Sequence, residues 1–151
     1  MLKTGDRAPL FSLLDQDHKK HELKDCLGSK VLLYFYPKDD TPGCTTEACE
    51  FRDNHTAMKE LGLVILGVSA DSVKSHKKFA DKFELPFPLL SDETKEVCEA
   101  YGVWGKKKFM GREYMGISRT SFLIDEKGMI SKTYANVKPK EHAGEVTNDI
   151  L

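Results

Sequence analysis

The sequence predicts an α/β protein, a mixed central sheet flanked by helices, on three observations. Two apolar runs, Val31 to Tyr36 and Leu63 to Ser69, are short, β-branched or aromatic and free of internal charge, as strands buried on both faces require. Between them lies a stretch opened by Thr41-Pro42 and closed by Gly62, a helix start and a helix stop. Strand, helix and strand in series imply a parallel crossover, which puts the helix N-terminus at the carboxyl edge of the sheet, where such sheets place ligands. Further on, Ile117 to Asp125 and Met129 to Tyr134 are separated by Glu126-Lys127-Gly128 and read as a β-hairpin that extends the sheet antiparallel.

Taken in order, a strand around Leu10 to Leu14, the turn Asp15 to His18 and a return strand over Lys20 to Leu23 form an N-terminal β-hairpin. Leu23 to Leu27 is a helical turn ending at Gly28, with Cys26 as a packing residue. After the second buried strand, Asp71 or Ser72 begins a helix whose Lys74, Lys77, Lys78 and Lys82 make a solvated face, and Pro86 and Pro88 break it. Leu89 to Asp92 reads as a short strand and turn, and Glu93 to Tyr101 as a helix packed through Val97, Cys98 and Tyr101. Trp104 to Met115, basic and aromatic, is expected as a surface loop, and Lys138 to Leu151 as a terminal helix.

Length and composition bound the function. At 151 residues and 40% hydrophobic, with no low-complexity tract, residues 1–151 are expected to form a single domain. The 23 basic and 24 acidic residues nearly cancel, so no global field favours a nucleic-acid or membrane-surface partner. The first residues lack a signal-peptide core and no apolar run nears the roughly 18 residues of a membrane span, which points to a cytoplasmic location. Four cysteines are too few for a disulfide scaffold and lack paired zinc spacing; His18 and His21 read as solvated. No metal, haem, flavin or nicotinamide motif is present, so no cofactor is expected.

The chemistry concentrates between Pro37 and Arg52. Pro37 ends the first buried strand; Thr41 fits the N-cap, Pro42 the first helical position and Cys44 the third. A thiol in a helix's first turn faces unpaired N–H groups and the positive end of the dipole, which favour its anion, the nucleophilic form. Against this stands the commoner fate of a cysteine, a small buried hydrophobe. Cys49 follows five residues on, a rise of about 7.5 Å that puts the two Cα atoms roughly 8.5 Å apart. A disulfide needs them within about 7 Å, so the intact helix cannot hold one, and the two thiols could join only if it unwound. On spacing alone Cys49 is equally an inert helix-face residue.

The segment from Pro37 to Cys44, proline, three residues, threonine, two residues and cysteine, resembles the peroxiredoxin active-site pattern. With the second cysteine at i+5, the whole of PKDDTPGCTTEACEFRD is similar to the peroxiredoxin Q, or bacterioferritin comigratory protein, subfamily. The resemblance implies a thioredoxin-like fold and reduction of hydrogen peroxide and alkyl hydroperoxides. It assigns Cys44 as peroxidatic and Cys49 as resolving cysteine, Thr41 and Arg119 as their catalytic companions, and Pro37, Thr41, Gly43, Cys44 and Arg119 as the substrate-binding set. It also implies thioredoxin or a similar dithiol as reductant and a monomer. Arg119 alone would read as a surface ion-pair partner, and Cys98 as a second resolving candidate. Two rival functions share the fold. A disulfide oxidoreductase lacks its usual CxxC here, and a redox-sensing module would be oxidised once rather than turn over.

Overall fold

A computed structural model describes residues 1–151. Nine strands and four helices follow in order: β1 (Ser12–Leu14), β2 (Lys20–Glu22), β3 (Lys30–Phe35), α1 (Pro42–Glu60), β4 (Leu63–Ser69), α2 (Val73–Phe83), β5 (Leu89–Ser91), α3 (Glu96–Ala100), β6 (Trp104–Phe109), β7 (Arg112–Ile117), β8 (Thr120–Ile124), β9 (Ile130–Tyr134) and α4 (His142–Ile150). Seven strands form one mixed sheet in the order β2-β1-β5-β4-β3-β8-β9. This is the thioredoxin-like α/β arrangement expected, with β1 and β2 as the N-terminal hairpin.

The first buried strand organises everything else. β3 pairs in parallel with β4, Lys30 opposite Leu63 through Phe35 opposite Val68, and antiparallel with β8, Val31 opposite Ile124 through Phe35 opposite Thr120. Because side chains alternate along a strand, the uninterrupted apolar run divides between two cores. Leu32, Tyr34 and Tyr36 join α1, α2 and α4 on one face, whereas Val31, Leu33 and Phe35 join Leu23, Cys98 and Tyr101 on the other. α1 is tied to its face by Ala48, Phe51 and Met58, all at most 1% exposed. Each large one of these contributes about 1.5–3 kcal/mol of burial. The helix ends at Gly62, whose φ of +84° is open to glycine at little cost.

Several boundaries differ from the sequence-based expectation. Trp104 to Met115 is not a loop: β6 and β7 form a separate two-stranded hairpin, Trp104 opposite Ile117 through Phe109 opposite Arg112. Its two-residue turn, Met110-Gly111, has φ of +51° and +81°, both positive as the favoured hairpin turn demands. Ile117 therefore closes β7, and the C-terminal hairpin starts only at Thr120. α3 begins at Glu96 rather than Glu93, because the buried Asp92 carboxylate accepts from the Val97 and Cys98 N–H groups and takes over the helix start. The terminal helix begins at His142, after a turn that carries Pro139. Leu61, one residue past the end of α1, is exposed. His21 is not simply solvated, since its Nε2 lies 2.7 Å from the Asp15 carboxylate that organises the β1–β2 turn.

Candidate active site

Pro37 and the loop to Asp40 carry the chain from the carboxyl end of β3 into α1. Thr41 occupies the N-cap with extended backbone, φ −98° and ψ 155°, and Pro42 is the first helical residue. The Thr41 hydroxyl does not cap the helix, however; it donates to the Lys38 carbonyl at 2.9 Å. The N–H groups of Gly43 and Cys44, second and third in the helix, have no intrahelical carbonyl to meet. Cys44 is 2% exposed, its sulfur at the inner side of that first turn.

Arg119 reaches the sulfur from the opposite direction along the chain. It stands immediately before β8, whose first residue Thr120 pairs with Phe35 at the end of β3, so antiparallel pairing brings it to the helix N-terminus. Its Nη2 donates to Cys44 Sγ at 3.2 Å and its Nη1 to Glu47 Oε1 at 2.8 Å. Gly43 makes room for this: a Cβ there would sit 3.0 Å from Nη2. Burial would lower the Arg119 pKa, but the charges of Cys44 and Glu47 outweigh it and raise it. Charge-assisted hydrogen bonds of this kind are roughly twice as strong as neutral ones and hold the guanidinium plane fixed.

Glu47, one turn beyond Cys44 on the same helix face, is not among the residues that the sequence alone singles out. It is 1% exposed; Oε1 binds Arg119, and Oε2 has no hydrogen-bond partner. Burial lifts its carboxyl to about 7 against the opposing pull of Arg119. The i, i+3 spacing from Cys44 was the available signal. Tyr34, on β3 beneath the site, is fully buried with an unpartnered hydroxyl, and burial, with the charges of Glu47 and Cys44, raises it well above the usual phenol range. Lys107 of β6 donates to the Ile117 carbonyl at 2.9 Å; burial and then Arg119 lower its pKa, with Cys44 opposing. In the sequence Lys107 is one of three successive lysines, and nothing local marks this contact.

Cys49 lies on α1 within the same unbroken helix, half-buried and free, and burial raises its thiol against the pull of Arg52. Cys98 is on the other face of the sheet, in the second core, separated from Cys44 by β3 and its neighbours. The structure thus brings Thr41, Gly43, Cys44 and Arg119 to one sheet edge and leaves Cys49 farther along the helix. What the cluster can do chemically is hold negative charge on a sulfur beside a fixed guanidinium and unpaired N–H groups, the requirements of a thiol nucleophile whose leaving group also needs stabilising.

Residues 4–133 match the AhpC/TSA family. A putative peroxiredoxin bcp of Coxiella burnetii is 51% identical over 145 residues, covering 96% of each chain. Peroxiredoxin Bcp of Escherichia coli K12 is 50% identical over 147 residues, 97% of this chain and 94% of that one. Among solved structures, Xylella fastidiosa PrxQ superposes with a TM-score of 0.94 at 35% identity over 99% of this chain and 96% of that one. A Xanthomonas campestris bacterioferritin comigratory protein, described for its alkyl peroxide reduction activity, gives 0.88 at 36% identity over 93% and 89%. The chain belongs to the AhpC/TSA family and, within it, to the Bcp/PrxQ peroxiredoxins.

Proposed function

We propose that this peroxiredoxin reduces hydrogen peroxide and organic hydroperoxides with Cys44 as the peroxidatic thiol, Cys49 as the resolving thiol and a thioredoxin-type dithiol as reductant. The observation that carries the reading is the 3.2 Å hydrogen bond from Arg119 Nη2 to Cys44 Sγ at a helix N-terminus. The Cys44 thiolate attacks the proximal peroxide oxygen in line with the O–O bond. That bond breaks, the distal oxygen leaves as water or alcohol after taking a proton, and Cys44 becomes a sulfenic acid. Arg119, the Gly43 and Cys44 N–H groups and Thr41 hold the peroxide and stabilise charge on the leaving oxygen. The Thr41 hydroxyl proton is committed to Lys38, so its oxygen serves as acceptor for the peroxide proton. Pro37 sets the loop's entry.

Resolution then requires α1 to open, since a continuous helix holds residues 44 and 49 too far apart. The Cys49 thiolate attacks the sulfenic sulfur, hydroxide leaves as water, and the Cys44–Cys49 disulfide is reduced by the external dithiol. This reading carries with it a single domain, a monomer and a cytoplasmic location; no helix is long and apolar enough to cross a membrane. Peroxide consumption with thioredoxin, its reductase and NADPH tests it. Wild type turns over, Cys44→Ser does not react, and Cys49→Ser reacts once per chain and stops. Turnover by Cys44→Ser would contradict the assignment.

A further inference from the structure

Between β3 and Thr41 the loop residue Asp39 turns its side chain inward, to 4% exposure, while the neighbouring Asp40 and Thr41 are solvated or half-buried. Its carboxylate collects three donors. Oδ1 accepts from the Tyr36 hydroxyl at 2.6 Å, and Oδ2 from the Ser75 hydroxyl at 2.8 Å and faces His76 Nδ1 at 2.7 Å. The Asp39 N–H in turn donates to Asp71 Oδ2 at 2.9 Å. His76, on α2, is wholly buried and its Nε2 lies 3.0 Å from the Leu90 carbonyl of β5. A carbonyl can only accept, so Nε2 carries a proton, and the Nδ1–Oδ2 contact holds another between imidazole and carboxylate. The donor atoms of Asp39, Asp71 and His76 lie within 4.8 Å of one another, as for a cation site, but those facing inward are already joined through protons.

We propose that Asp39 and His76 are a positioning pair for the peroxidatic loop: they fix the path from β3 to Thr41 and so aim the Thr41 hydroxyl and the first-turn N–H groups at the peroxide. This rests on the assignment of Cys44 above. The pair touches neither the sulfur nor Arg119. It acts through the backbone, because the loop has few other restraints: Thr41 bonds within the loop to Lys38, Asp40 has a positive φ of 56°, and its ion pair with Lys82 is exposed. Tyr36 just past β3, His76 of α2 and, through His76, the Leu90 carbonyl of β5 are thereby joined to the segment entering α1. The anchor lies upstream of the helix turns that must open, so it also gives α1 a fixed end from which to rewind after the disulfide is reduced.

The pair's role separates from general stability by using two reagents on the same thiol. Peroxide needs the aligned loop; iodoacetamide alkylates a thiolate without it. Reaction of Cys44 in a Cys49→Ser background is followed by the fluorescence of the single tryptophan, Trp104, or by mass. Asp39→Ala is expected to slow the peroxide reaction about 30-fold and alkylation at most about twofold. Asp39→Asn, whose amide can donate to His76 Nδ1 while its oxygen still accepts from Tyr36, should recover to within about threefold of the parent. Should Asp39→Ala not fold, Ser75→Ala removes one donor of the three and should slow peroxide about threefold with alkylation unchanged. An equal fall with both reagents, or parental peroxide rates in folded Asp39→Ala or in Ser75→Ala, overturns the proposal. A parent protein inert to peroxide would instead strike the Cys44 assignment itself, and this inference with it.

Discussion

Cys44 and Cys98 are equally enclosed, 2% and 0% exposed, on opposite faces of one sheet, and their partners are opposite in charge. Cys44 receives a hydrogen bond from the Arg119 guanidinium, whereas Cys98 sits against the buried Asp92 carboxylate, and burial with that charge pushes its thiol far above the ordinary range. Exposure therefore does not distinguish Cys44 from Cys98; the charge of the group beside each sulfur does. A carboxyl also lies near Cys44, but Glu47 binds the guanidinium rather than the sulfur, so it fixes the cation in place. Cys49 is a third case, half-buried, its thiol raised by burial against the opposing charge of Arg52.

The contrast breaks most directly by removing each sulfur. Cys44→Ser should abolish peroxide reduction, while Cys98→Ser should keep it within about twofold at a stability cost of about 1–2 kcal/mol; steady-state peroxide consumption and denaturant unfolding measure the two. Comparable losses in both would erase the distinction.

Glu47 sharpens it through pH. Folding raises this carboxyl from 4.5 to about 7, so the native chain binds its proton more tightly than the unfolded chain. Stability is therefore unaffected by this group below about pH 4.5, declines as pH rises toward 7 and is lowest above it, by about 3 kcal/mol. Glu47→Gln keeps an acceptor for Arg119 without titrating. Its advantage over wild type in unfolding free energy should widen across that interval, and a difference independent of pH would refute the buried-carboxyl account.

Arg119→Lys retains the charge but loses the fork that spans Cys44 and Glu47. The peroxide rate should fall about 100-fold, or about 2.7 kcal/mol, measured in a single turnover. The smallest effect is expected at Thr41, where Thr41→Val removes the hydroxyl bonded to Lys38 and should cost about tenfold while Thr41→Ser costs little.

Much of this was legible in the chain because it is local. The apolar run of β3, the Thr41-Pro42 start of α1 and its Gly62 stop are signals carried by consecutive residues, and they place Cys44 in a first helical turn before any contact is known. The resemblance supplied Arg119, since no spacing connects residue 119 to residue 44; the link is made by β8 lying against β3. Glu47 and His76 were hidden for a different reason. Each is a polar residue among polar neighbours on a helix whose other face is wet, and only the partner across the fold, Arg119 or Asp39, makes its burial tolerable. The β6–β7 hairpin escaped because three successive lysines, Lys106 to Lys108, mask the alternation of a strand on which Lys107 is half-buried between two exposed neighbours. The late start of α3 was set by a side chain, Asp92, that competes for helix N–H groups.

We infer that one enclosed sulfur, that of Cys44, and not the others, is held ready to attack peroxide. Treating the Cys49→Ser protein with one equivalent of hydrogen peroxide in the presence of dimedone, then mapping the adduct by mass spectrometry, tests it. The account predicts about one adduct per chain, on Cys44, and its loss when Arg119 is replaced by alanine. An adduct on Cys98 or Cys26, or undiminished labelling of Cys44 without Arg119, would contradict it.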